Sequence, residues 1–213
     1  MSETSAHAAL MNSTYRHQRR IYDLTRKYYL FGRDHLIREL APPPGGAVLE
    51  VACGTGRNLA KIARRYPDAR LFGLDISSEM LESAAATLNR QARLAEADAT
   101  AFDGAALFEE AAFPCIFISY GVSMIPDWRA ALDCAAAHLA PGGALHVVDF
   151  GDQGAWPGWF GRGLRSWLAR FHVTPRPDLG AEMANLVERY GGSVEEVQVF
   201  GRYAVYVVFR RAG

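Results

Sequence analysis

The chain has little with which to build a disulfide framework, a zinc site or a membrane anchor. Its three cysteines, Cys53, Cys115 and Cys134, are an odd number without CxxC spacing. That argues against a disulfide scaffold or a zinc ribbon, and it fits buried, inert thiols in a reducing compartment. No apolar run approaches the roughly twenty residues of a spanning helix. The leader "MSETSAHAALMNSTY" has no basic segment followed by an apolar one, so neither a transmembrane segment nor a signal peptide is read and a cytoplasmic location is expected. There is no charge surplus either: Lys plus Arg and Asp plus Glu number 23 each, so no global field draws the protein to nucleic acid or to an anionic surface. Any such attraction must be local. Internal repeats and low-complexity tracts are absent as well.

What is present suits one compact domain: 213 residues, half of them apolar. Residues 14–40 carry apolar positions at three- and four-residue spacing, which predicts one or two helices with Gly32 as the break. "PPPGG" at 42–46 is a linker. From 47 onward, strand-like runs alternate with helical patterns: "AVLEVA", "NLAKIARRY", "ARLFGLD", "SSEMLESAAATLNRQ", "ARLAEAD", "CIFIS", "DWRAALDCAAAHL" and "ALHVVDF". This rhythm predicts five parallel strands in an α/β sheet. A helix at 181–190 then precedes "SVEEVQVF" and "YAVYVVFRR", which are joined by so short a turn that they must form an antiparallel hairpin.

The stretch "VLEVACGTGRN" places a glycine turn between a strand and a helix, where backbone N–H groups and the positive helix end can face a ligand. A dinucleotide fingerprint needs a third glycine three residues after the second. Here Gly54 and Gly56 are followed by Leu59, which argues against NAD. Glu50 falls within the first strand, Asp75 at the end of the second and Asp98 after the third, all along one carboxyl edge; Asp75 holds the place from which an acid accepts ribose hydroxyls.

Together, "VLEVACGTGRN…LFGLDISSEML…EADATAF…LAPGGALHVVDF" resembles the class I S-adenosylmethionine-dependent methyltransferases from about residue 47 to the C-terminus. The resemblance implies a Rossmann-like, doubly wound α/β fold: a seven-stranded sheet with an antiparallel last strand, under an N-terminal helical lid. It also implies S-adenosylmethionine as cofactor and S-adenosylhomocysteine as product. Carried over residue by residue, Glu50 would lie near the cofactor's amino group, Gly54 and Gly56 under its amino-acid moiety, and Asp75 on its ribose. Ile76 and Met80 would sandwich adenine, Asp98 would face the exocyclic amine, and Ala52, Asn58, Ala99 and Ser119 would complete the site. Residues 1–46 would be lid and linker, and 47–213 the core.

Acceptor specificity lies outside these motifs. "FISYGVSMIPDW" stands where base-amine methyltransferases of nucleic acids carry an NPPY-type signature, so no nucleic acid partner is expected. Two segments remain. The first, at 13–37, is rich in tyrosine and locally basic. The second, an insertion at 154–179, interleaves Trp156, Trp159, Phe160, Trp167 and Phe171 with Arg162, Arg165 and Arg170. That mixture suits a lipid headgroup boundary, or else a helix with its aromatic face on the sheet.

"YRHQRRIYDLTRKYYLFGRDHLI" and "W…LRSWLARFHVTPR" resemble the bacterial betaine-lipid N-methyltransferases, which trimethylate the homoserine amine of diacylglyceryl homoserine. The resemblance implies a peripheral protein on the membrane surface, with the enzyme that makes diacylglyceryl homoserine as a candidate partner. Phosphatidylethanolamine N-methyltransferases share the plan, and a small-molecule methyltransferase or a cofactor-binding protein without activity are the other readings. His172 and Asp149 are the candidate bases, with Tyr120 as an orienting group. Tyr15, Tyr22, Tyr28, Tyr29 and Tyr120 could cage a methylammonium, and Arg16, Arg33 or Arg176 could hold the homoserine carboxylate.

Overall fold

The structure is a computed structural model that describes residues 30–171 and 173–213. Seven strands form one sheet in the order β3-β2-β1-β4-β5-β7-β6: β1 Ala47–Val51, β2 Arg70–Asp75, β3 Arg93–Glu96, β4 Phe113–Ser119, β5 Leu139–Phe150, β6 Gly192–Val199 and β7 Ala204–Arg211. The first five pair in parallel, while β7 runs antiparallel to both β5 and β6. The predicted five parallel strands and closing hairpin are therefore present. Strand β1 is buried along its whole length, as a central strand covered on both faces must be, which is why "AVLEV" reads as a near-continuous apolar run.

Alternation along the strands sorts side chains into two cores. Leu49, Leu74, Ile116 and Val147 point to the face covered by α4 (Gly104–Phe108), α5 (Trp128–Ala137) and α7 (Leu179–Tyr190). Val48, Phe117, Val148 and Val208 point to the face covered by α1 (Arg33–Glu39), α2 (Arg57–Arg65), α3 (Ser78–Leu88) and α6 (Gly158–Ala169). Gly32, at φ 87°, starts α1, so the expected break is the helix's first cap. Helix α1 seats Leu36 and Ile37 on the core and ties Asp34 to Lys61 of α2. All three cysteines are free, and two of them are buried.

Two elements differ from expectation. Strand β5 begins at Leu139 rather than Ala144: Phe113 pairs with Leu139 and Cys115 with Ala144, so two steps along β4 are matched by five along β5. "APGG" is thus a bulge inside the strand, with Gly142 at φ 72° absorbing the bend. The five residues of α4 are too short to carry a period and were not expected; Asp103 starts that helix by accepting from Ala105 and Ala106 N–H.

Candidate cofactor site

The carboxyl edge of β1 and β4 opens into a cleft of about 310 Å³ lined by Glu50, Ala52, Gly54, Asn58, Ser119 and Arg33. These six were expected from the sequence. Arg57, Thr55 and Cys53 of the glycine turn join them, with Ser83 and Thr87 from α3. Ser83 and Thr87 sit one helical turn apart on the α3 face toward α2, a spacing that could have revealed them. Each donates its hydroxyl to the carbonyl four residues back.

The turn is held by its own acids. Asp75 at the end of β2 accepts from Gly54 N–H at 2.8 Å and from Ser77 N–H at 3.0 Å, so one carboxylate ties the glycine turn to the start of α3. Buried Glu50 accepts from Asn58 Nδ2 at 2.7 Å. The burial of Cys53, and secondarily the charges of Asp75 and Glu50, push its thiol well above the ordinary value and keep it protonated. Ser119 Oγ is buried at the cleft wall without a hydrogen-bond partner among the described residues.

Several expected roles change. Gly56 does not line the cleft: it caps α2 at φ 72°, and a Cβ there would lie 2.8 Å from Leu88 Cδ1 and 3.1 Å from Ala84 Cβ, so its bareness serves the contact of α2 with α3. Met80 is 3% exposed and packs with Met124 and Phe171, so it is core; Ile76 keeps the accessible surface beyond β2. Asp98 spends Oδ1 on Thr100 N–H and Oγ1 in the turn beyond β3, beside buried Ala99.

The acceptor candidates divide more sharply. Asp149 is fully buried: its Oδ2 accepts from Ser123 N–H and its Oδ1 from Phe150 N–H, and it is absent from the cleft lining. Burial raises its carboxyl to about 6 against the lowering pull of those N–H groups, so the carboxylate is a brace and not a base reaching the acceptor. Tyr120, 2% exposed, donates its hydroxyl to Phe31 O and anchors the entry to α1. Arg176 donates to Val122 O and Ile125 O with its guanidinium over Trp128, so it supports the β4–α5 loop rather than a substrate. Only Arg33 of these lines the cleft. His172, Tyr15, Tyr22, Tyr28, Tyr29 and Arg16 lie outside the described residues. Among the described residues no cluster of His, Cys, Asp or Glu could hold a metal ion, and no helix is long and apolar enough to cross a membrane.

Residues 48–143, which carry the glycine turn and its acids, match the family described as "Methyltransferase domain". The likeness to that family lies in this segment, the part that carries the cleft. The chain is 40% identical to a trans-aconitate 2-methyltransferase of Methylobacterium radiotolerans over 46% of its own length and 36% of that protein's. It is 33% identical to the ubiquinone/menaquinone biosynthesis C-methyltransferase UbiE of Syntrophotalea carbinolica, over 61% of this chain and 56% of that one. The chain therefore spans about half or less of the length of these two curated relatives. A SAM-dependent methyltransferase from Aquifex aeolicus superposes with a TM-score of 0.61 at 18% identity, covering 88% of this chain and 93% of that one.

The chain shares the Rossmann-like fold of that SAM-dependent methyltransferase, and S-adenosylmethionine is the group to set against its cleft. The cleft fits such a group. Its amino-acid end is a zwitterion, and the lining offers a carboxylate, Glu50, and two guanidinium groups, Arg33 and Arg57, for the opposite charges. The unpartnered Ser119 Oγ adds a polar group at the cleft wall.

Proposed function

We propose that this chain is an S-adenosylmethionine-dependent N-methyltransferase whose acceptor is a lipid headgroup amine. The specific reading is three methylations of diacylglyceryl homoserine to diacylglyceryl trimethylhomoserine. The observation that carries it is the position of Arg33: the segment that resembles betaine-lipid methyltransferases brings a guanidinium into the same cleft as Glu50, Gly54 and Ser119. Homoserine presents a carboxylate next to its amine, and a guanidinium at the cleft wall suits the carboxylate while the amine faces the cofactor.

The cofactor supplies an electrophilic methyl group on a sulfonium. The amine lone pair forms the new C–N bond as the C–S bond breaks, and its electrons pass to sulfur. The protein's share is alignment of nitrogen with the methyl carbon at ~3 to 3.5 Å, together with removal of one proton from the ammonium before each transfer. Glu50, held by Asn58, and the backbone of the glycine turn, held by Asp75, give the fixed frame such alignment requires.

Incubation of the purified protein with labelled S-adenosylmethionine and single acceptors tests this reading. Label in mono-, di- and trimethylated homoserine lipid is expected. Transfer only to phosphatidylethanolamine would move the reading to that headgroup. Transfer only to demethylmenaquinone or trans-aconitate, the acceptors in the names of curated relatives, would overturn the N-methyl reading.

A further inference from the structure

We propose that helix α6 and the turn between β6 and β7 form a docking surface for an anionic lipid bilayer, set beside the cofactor cleft. The inference rests on the lipid-acceptor reading, and its test needs no catalysis. Helix α6 has two unlike faces. Leu168 is 1% exposed, and Phe160, Leu164 and Trp167 pack with it on the sheet, so part of the aromatic insertion is simply core. The opposite face carries Trp159, 69% exposed, with Arg162 and Arg165 in solvent.

The exposed rings are linked and rigidly placed. Trp156 stacks on Phe160 at 4.8 Å, and its indole N–H donates to Phe200 O at 3.2 Å across the β6–β7 turn. Phe200, 58% exposed, meets Phe31, 43% exposed, at 5.0 Å. Three segments distant in sequence thus assemble one exposed aromatic surface, larger than the scattered apolar side chains of an ordinary exterior. Indoles at a boundary of this kind keep their rings among acyl chains and their N–H groups at headgroup level.

Charge selects the occupant. Between Asp152 and Asp178 the chain has four arginines and no acid, although its overall charge is zero. A second copy docked symmetrically here would set Arg162 and Arg165 against their own counterparts, whereas anionic headgroups complement them. Position fits as well: Phe31 belongs to the aromatic surface, its carbonyl is held by Tyr120, and Arg33, two residues on, lines the cleft. A headgroup at this surface therefore lies next to the cleft mouth.

The test is flotation of the full chain, without cofactor or acceptor lipid. Vesicles of phosphatidylglycerol in phosphatidylcholine are compared with vesicles of phosphatidylcholine alone. Binding to the anionic vesicles, and much weaker binding to the neutral ones, is expected. Replacing Arg162 and Arg165 by Gln should lower the partition coefficient roughly thirtyfold, from ~1 kcal/mol for each cation at the surface. Trp159→Ala should lower it about tenfold, with cofactor affinity unchanged in both variants. No flotation of the parent chain, equal binding to neutral vesicles, or variants that float like the parent would overturn the proposal. So would a parent dimer that Trp159→Ala converts to monomer in sedimentation without vesicles. Methyl transfer to diacylglyceryl homoserine in detergent micelles separates the two readings: transfer without flotation removes the docking surface alone, and flotation without transfer to any lipid removes the acceptor reading alone.

Discussion

At the carboxyl ends of β1 and β2, polar side chains are buried and committed: Glu50 holds Asn58, and Asp75 holds the N–H groups of Gly54 and Ser77. Past the end of β5 the relation is inverted, with Trp159 and Phe200 mostly in solvent and Arg162 and Arg165 exposed on the helix of Trp159. The first region is built to stay fixed while a small charged ligand enters. The second leaves apolar area unburied, which costs the folded chain stabilisation of ~25 cal/mol per Å² left in water and so makes sense for a surface that is covered in use. One sheet edge thus combines a preorganised cleft with an unsatisfied apron.

Breaking the fixed region should have the largest effect. Gly56→Ala adds a methyl 2.8 Å from Leu88 Cδ1 on a backbone at φ 72°. Left-handed strain and overpacking together should cost about 2 to 4 kcal/mol. Because α2 must move from α3, cofactor affinity by calorimetry should fall together with the melting temperature. A variant with full stability and tight cofactor binding would show that the α2–α3 contact is compliant.

Asp149 gives the next largest effect. Its buried carboxyl titrates at about 6 against an ordinary 3.8, so across that window the native state keeps a proton that the unfolded chain has lost. Stability from this group is therefore complete below the lower value and is lost as pH rises through the upper one, by about 3 kcal/mol at most. Asp149→Asn does not titrate. In urea unfolding, the stability of the parent relative to this variant should decline from the lower pH to the higher. A pH-independent difference between the two would place the proton elsewhere.

Arg33→Ala sharpens the comparison, since Arg33 is where the two regions meet. Loss of charge-assisted bonds to an acceptor carboxylate, about 1.5 to 3 kcal/mol, should raise the acceptor KM by more than tenfold. Arg33→Lys should restore only part of this, because an ammonium lacks the planar fork. If Arg33→Ala instead weakens the cofactor alone, the guanidinium serves the cofactor's carboxylate together with Arg57.

These two regions were also unequally legible. Glu50 and Gly54 follow from a strand end and a glycine turn, because a parallel sheet delivers all its carboxyl ends to one edge, while Ala52, Asn58 and Ser119 came with the family resemblance. The acceptor side resisted. Asp149 and Arg176 are the right chemical types at the right edge, yet backbone groups consume them, and sequence does not display which N–H or C=O is left needing a partner. The insertion was ambiguous for a related reason: its aromatics are divided between the core, as with Trp167 and Leu168, and solvent, as with Trp159. Helical period divides them correctly only once the start of α6 at Gly158 is known.

The smallest expected effect concerns α6 itself. Gly158, Gly161 and Gly163 lie within its twelve residues, and each weakens a helix by ~1 kcal/mol relative to alanine. At Gly163 an added Cβ meets nothing within 4 Å, so packing gives no reason for the glycine. Gly163→Ala should therefore raise stability by about 0.5 to 1 kcal/mol in urea unfolding. If the helix is a passive cover, turnover should be unaffected. If α6 must adjust as it settles on a bilayer, the stabilised variant should bind anionic vesicles with altered affinity while its transfer rate in micelles stays the same. The apron would then owe its glycines to adaptability, the property the cofactor cleft excludes.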